Sequence, residues 1–200
     1  GSGQPLVVGS TASRLEVVPG LSDPLRSEVQ FVSGNSRQGI TSLITGGEMG
    51  GLIRYREDVL DTTLNSVGRL ALSVTDQVNR QLGQGLDLNG QFGNGLFREL
   101  NDPELIGQRS LARIGNSDTT ANLNVLIEDT TQLTTSDYEV EFTSATDYTV
   151  RRVSDGTSFG PFDITVVPAA EFDGVSLNVA SGTFAAGDRF RGMPTRNAGE

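Results

Sequence analysis

The sequence predicts an α+β chain: one long amphipathic helix with β-hairpin structure in a rod-like domain, plus a small antiparallel β-rich domain. Three observations carry this. An apolar stripe with a seven-residue repeat runs through a stretch that has no proline between Pro24 and Pro103. Beyond residue 108, short alternating apolar runs recur at intervals of about ten residues, with turn signals between them. Only 36% of the 200 residues are hydrophobic and 25 are glycine, which suits a thin or divided core better than one large one.

Leu6-Val7-Val8 and Leu15-Glu16-Val17-Val18 are β-prone runs, the second stopped by Pro19-Gly20. Glu28 to Val32 alternates polar and apolar and ends at Ser33-Gly34-Asn35, as a hairpin strand does. A helix follows over residues 45–82. Ile53, Leu60, Val67 and Val74 recur every seven residues, and Leu64, Ala71 and Val78 form the adjacent line, so together they make one packing face. Thr45-Gly46-Gly47-Glu48 has the form of a capping box, with Thr45 as N-cap and Glu48 at the third helical position. Gly83 and Gly85 end the pattern. Such a helix is about 55 Å long at ~1.5 Å per residue. Gly50, Gly51 and Gly68 weaken it by about 1 kcal/mol each relative to alanine, so tertiary packing must support it. A rod with one apolar stripe normally packs on other helices. The sequence has no second helix of that length, so the stripe either lies on the β segments or meets helices from elsewhere.

Residues 84–107 form a Gly-rich connection, closing a first domain at 1–105. The β-rich domain covers 106–191, with strands expected at Asn122–Ile127, Tyr138–Phe142, Tyr148–Val153, Phe162–Val167, Val175–Val179 and Arg189–Arg191. It carries most of the net charge of −10.

The composition removes many chemistries. All 15 basic residues are arginine; there is no Lys, His, Cys or Trp. That excludes thiolate and imidazole catalysis, Cys/His zinc sites, Schiff bases and the P-loop lysine. No cofactor is expected and no enzyme is predicted. The acidic balance argues against nucleic acid and against anionic membrane surfaces, and no apolar run is long enough to span a bilayer. No signal peptide opens the chain, and Gly1-Ser2 is set aside as a cloning remnant. Asp87-Leu88-Asn89-Gly90 starts like a calcium loop, but Phe92 and Arg98 stand where an EF-hand needs Gly and Glu. Gly46 to Gly51 lacks the spacing of a phosphate cradle and reads as a helix start with close backbone approach. Glu99, Asp102 and Glu104 cluster, and Glu139 and Glu141 share one strand face, where a solvated face is the simpler reading than a glycosidase pair. Arg54, Arg56, Glu57 and Asp58 sit together: Arg54 and Asp58 suit a helical i,i+4 pair, and the group is a candidate for intersubunit ion pairs.

Several motifs occur in order. Gly46-Gly47-Glu48-Met49-Gly50-Gly51-Leu52-Ile53-Arg54-Tyr55-Arg56-Glu57-Asp58-Val59-Leu60-Asp61 resembles the signature that opens a long helix in the bacterial flagellar hook-associated protein family FlgK. The resemblance continues through Leu64-Asn65 and Gly68-Arg69-Leu70 to Gly85-Leu86-Asp87-Leu88-Asn89-Gly90. Ser136-Asp137-Tyr138, Gly187-Asp188-Arg189-Phe190 and Pro194-Thr195-Arg196-Asn197-Ala198 are similar to later family motifs. Tyr55 departs from the family's usual Phe, and the family's Phe pair is reduced to Leu96-Phe97.

The resemblance implies a structural subunit that joins hook to filament by packing. It implies self-association in a ring, contacts with hook protein and a second junction protein, and an export chaperone acting through a C-terminal part outside these residues. It implies an extracellular location, reached by flagellar type III export. It also implies that residues 192–200 return to the rod-like domain, and that the family's terminal coiled-coil segments are the missing helical partners. An extracellular binding or adhesin module is the alternative, and a carboxylate hydrolase a third.

Overall fold

The computed structural model describes residues 7–8, 11–20, 25–34, 36–86 and 88–196. The expected start of the first strand at Leu6 and the turn at Asn35 lie outside them. Strands β1 (Val7–Val8) and β2 (Thr11–Ala12) pair with each other. Strands β3 (Arg14–Pro19), β4 (Ser27–Ser33) and β5 (Ser36–Gly39) form an antiparallel meander. In the meander β4 buries two valines, Val29 and Val32, whereas Leu15 and Val17 on β3 stay exposed. Three apart on one strand, the two valines point to opposite faces, so β4 is covered from both sides, and its burial does not follow the expected alternation.

A single turn at Thr41–Leu43 leads into helix α1, a continuous 37 residues at 47–83. Its middle stretch, Tyr55–Asp61, is wound as π-helix between α-helical ends. The N-cap is Gly46 and not Thr45, and no side chain caps it, so the expected Thr45–Glu48 capping box does not form; Glu48 is simply an acidic residue of the first turn. The cause is steric. Gly46 is extended, and the backbone of Ile44 and Thr45 passes so close to the first turn that a Cβ on Gly50 would lie 2.8 Å from the Thr45 carbonyl carbon. The chain passes over the helix start and does not cap it.

After the connection, helix α2 (Pro103–Ile106) is capped by Asp102, whose carboxylate accepts from the Glu104 amide at 2.9 Å. Pro103 supplies the pre-set φ of a first helical residue. The remaining strands are β6 (Ser110–Ala112), β7 (Asn122–Ile127), β8 (Tyr138–Phe142), β9 (Asp147–Arg152), β10 (Ser158–Asp163), β11 (Glu171–Phe172), β12 (Val175–Ser181) and β13 (Arg189–Gly192). They form two antiparallel sheets, in the orders β10-β9-β8-β13-β6 and β11-β12-β7. Strict alternation along β7 and β8 turns Leu123, Val125 and Ile127 of one sheet, and Tyr138, Val140 and Phe142 of the other, into one shared core. Phe142 is fully buried and stacks on Phe184 at 4.2 Å between ring centroids, with Phe190 edge-on at 5.9 Å.

The α+β class thus holds, with two differences among the strands. The strand expected at 162–167 lies at Ser158–Asp163, because an edge strand with a register shift between Phe159 and Phe162 accommodates Pro161. Strands β6 and β11 are too short to show alternation. The free edge of β7 is closed by side chains: Asn101 exchanges two bonds with Ile127 (2.8 and 2.9 Å), and the buried Arg109 donates to the Val125 and Leu100 carbonyls. Such covering keeps an edge from pairing with another chain. Burial pushes the Arg109 pKa down to about 10, which leaves it charged at neutral pH.

Candidate functional site: the helix faces and the seam

The apolar stripe of α1 turns away from the β structure. Leu60, Leu64, Val67 and Val74 are exposed, Leu64 and Val67 by 62% and 61%, and Ile53, Ala71 and Val78 are half-buried. Leu52 and Leu70 widen the exposed band. Among the described residues the stripe from Leu60 to Val74 is therefore not buried on the β segments. The reason lies on the neighbouring face of the helix, about 100° round, where Asn65, Gly68 and Leu72 are the buried residues. They sit at i, i+3 and i+7, so one helical line faces the β domain. Leu72, 2% exposed, joins the β-domain core.

That buried line makes a seam. The Asn65 amide donates to the Thr135 carbonyl (3.0 Å) and to the Asp137 carboxylate (2.9 Å). The other Asp137 oxygen accepts from Arg191 (3.0 Å) and Arg196 (2.8 Å). Arg196 also lies 3.5 Å from Asp61 on α1, and Asp61 pairs with Arg26 at 2.7 Å. Asp76 accepts from Thr130 at 3.0 Å. Thus the hairpin, the helix, the β strands and Arg196 meet on a few charges. Gly68 completes the seam: a Cβ there would sit 1.8 Å from the Thr195 carbonyl oxygen. Three of the motifs quoted above, at 64–70, 136–138 and 194–198, supply Asn65, Gly68, Asp137, Thr195 and Arg196, yet nothing in their spacing marks them as neighbours. Asp137 is 4% exposed. A buried carboxylate needs paired donors, and here it has three.

The charged group at the helix start is only partly paired. Arg56 lies 3.7 Å from Glu57 and donates to the Ser27 carbonyl at 3.4 Å, while its Nε is buried without a partner. Among the described residues Arg54 and Asp58 make no ion pair, so the expected i,i+4 contact does not form. The π-winding of Tyr55–Asp61 changes the turn that would have brought them together.

The carboxylates with hydrolase potential are occupied structurally. Glu139 pairs with Arg151 across β8 and β9, and Glu141 with Arg189 at 2.8 Å. Glu104 pairs with Arg98 at 3.2 Å, and Asp102 is the α2 cap. Among the described residues no group of three or more acidic side chains is arranged to hold a metal, and no helix is long and apolar enough to cross a membrane. The connection 84–99 is fixed by Asn79, which exchanges two bonds with Phe97 (2.9 and 3.0 Å), and it leaves Leu86, Phe92 and Leu96 exposed.

An open apolar helix face, a charged seam and a closed β core are the parts of a packing module. The chain belongs to the flagellar hook-associated protein family FlgK. Residues 1–97 match the model of the FlgK helical domain, and residues 111–194 match that of the D2-like domain of flagellar hook-associated protein 1. Flagellar hook-associated protein 1 of Salmonella typhimurium is 32% identical over 98% of this chain and 34% of its own length. The Escherichia coli protein of that name is 30% identical over 98% of this chain and 35% of its own. The structure of the flagellar hook junction protein FlgK from Burkholderia pseudomallei superposes with a TM-score of 0.79 at 32% identity, covering 98% of this chain and 35% of that one. The chain spans about a third of the length of these relatives.

Proposed function

We propose that this chain is the part of a flagellar subunit that helps join hook to filament through subunit–subunit packing. The observation that carries the reading is the helix whose apolar stripe is open over residues 52–74. A contiguous exposed apolar band of this kind marks an interaction surface. Its family model is described as a helical domain, yet residues 1–97 contain one long helix. The stripe of Ile53, Leu60, Leu64, Val67, Ala71, Val74 and Val78 is therefore read as the packing face for helical segments of the same polypeptide outside these residues. The division into 1–105, 106–191 and a return at 192–200 follows the same reading. The assembled subunits form a ring outside the cell, exported by the flagellar type III route, and meet hook protein and a second junction protein. A chaperone engages a part beyond this chain. Chemistry plays no role in this reading, and no observation favours the adhesin alternative.

The test is complementation. The full-length protein with Leu64→Asp and Val67→Asp is expressed in a bacterium that lacks its own family member. The expected result is secretion without motility, with filament subunits lost to the medium. Motility at the wild-type level would overturn the reading of the stripe.

A further inference from the structure

A second surface lies at the helix start and takes in Ile53, the first residue of the stripe. A cavity of about 490 Å³ opens between β4, the 41–45 turn and the first turns of α1. Arg26, Arg54, Arg56 and Arg191 border it, against two carboxylates, Glu28 and Glu57. Ile44 and Ile53 give it a half-buried apolar floor. Arg191 and Arg26 are held in place by Asp137 and Asp61. Arg54 makes no ion pair among the described residues, and Arg56 has only the long contacts given above and a buried Nε without a partner. The guanidinium fork is built to take carboxylate oxygens in pairs. The cleft thus holds cationic capacity that its own carboxylates do not use.

The opposite charge sits elsewhere on the same chain. Among the described residues up to 86, seven arginines balance seven carboxylates; over 88–196, eight arginines face fifteen. One corner of the β domain concentrates the excess. Ser176 donates to Glu128 at 2.5 Å and stands opposite Glu171 in the β11–β12 register, so Glu128 and Glu171 flank Ser176 from its two sides, with Asp129 next in sequence. Glu128 and Glu171 are exposed and, among the described residues, unpaired with any arginine. Asp129 is satisfied by Thr131 and Gln132 and keeps its charge.

We infer that the arginine cleft at the start of α1 receives the Glu128–Glu171 corner of a second copy of this chain. The inference rests on the assembly reading above and names one of its contacts. The two surfaces differ, so the contact is head-to-tail, the type that closes into rings. Exposed ion pairs are individually weak and screened by salt. The contact between isolated chains is therefore weak, with a Kd of about 1 mM, and gains strength only when many are made at once.

The test uses the chain itself. Unlabelled protein is titrated into 15N-labelled protein at low salt, to a concentration of about 1 mM. The expected result is shifts of the Thr41, Thr45, Arg54 and Arg56 amides together with those of Glu128 and Glu171, abolished by salt at about 0.5 M. Two variants then separate the halves: Arg54→Glu with Arg56→Glu, and Glu128→Arg with Glu171→Arg. Neither alone shows concentration-dependent shifts. An equimolar mixture restores them, because each variant keeps one intact surface, and recovery in the mixture also shows that both variants are folded. No shift at low salt, shifts confined to other surfaces, or a mixture that stays silent would overturn the inference. So would binding of a hexaglutamate peptide to the cleft with no association between copies. The complementation experiment above leaves these four residues untouched, so either reading can fail without the other.

Discussion

The β domain and the long helix spend their apolar residues in opposite ways. In the β domain they turn inward from two sheets and close a core in which Leu123, Phe142 and Val150 have no exposure. On α1 only Leu72 enters that core, and the strongest apolar positions face out. Burial of apolar area is the main favourable term in folding. The β domain therefore draws its stability from within, whereas the helix is held by polar seam contacts and one leucine. The exposed part of the stripe adds little to the fold of the described residues. The difference teaches that a hydrophobic pattern does not by itself say which apolar residues are buried within a given stretch of chain, since the α1 stripe and the β-domain strands carry equally clear patterns and only the strands are buried.

The comparison can be broken at the seam. Gly68→Ala puts a methyl group where the Thr195 carbonyl stands. Overpacking of this kind costs about 1–3 kcal/mol, against a helix-propensity gain of about 1 kcal/mol. We expect a lower Tm, with amide shifts at 135–137 and 193–196 and an unchanged β core. A raised Tm, as for an ordinary mid-helix Gly→Ala change, would show that the seam yields freely.

A smaller effect sharpens the β side. Four Asp-x-Thr turns rim the β domain. The Thr120 hydroxyl and amide hold Asp118 down to about 2. The hydroxyl and amide of the threonine two residues on also lower Asp129 and Asp163, and the Thr157 amide lowers Asp155. Each carboxyl is more acidic folded than unfolded, so each contributes stability above the unfolded pKa of about 3.9 that is lost as pH falls through the folded value. Unfolding of the β domain followed from pH 5 down to about 2 should show falling stability, with the loss smaller in Thr120→Val. Because these groups are exposed, the effect is modest. A flat profile would remove the turns from the account.

How much of this was legible depends on what each element buries. The long helix was readable from Ile53, Leu60, Val67 and Val74, because a seven-residue repeat over four positions has few other causes. Strands β7 and β8 were readable from alternation for the same reason. The seam was not. Its residues, Asn65, Gly68, Asp137, Thr195 and Arg196, are polar or small, and hydrophobic periodicity is blind to them. A helical glycine at position 68 was a signal, since it costs stability unless a close approach requires it. Even so, the partner backbone lies 127 residues further on. The capping box failed because its pattern describes side-chain reach and not the path of the preceding backbone, and Gly50 shows that path.

The central claim is that the stripe is open in these residues and the seam is closed. It is tested most directly by comparing two variants of the chain in urea unfolding. Leu72→Ala should cost about 2–5 kcal/mol, as buried leucines do, and the double change Leu64→Ala with Val67→Ala should stay within about 0.5 kcal/mol of wild type. A double variant destabilised as much as Leu72→Ala would mean that the stripe is buried within these residues, and it would contradict the account.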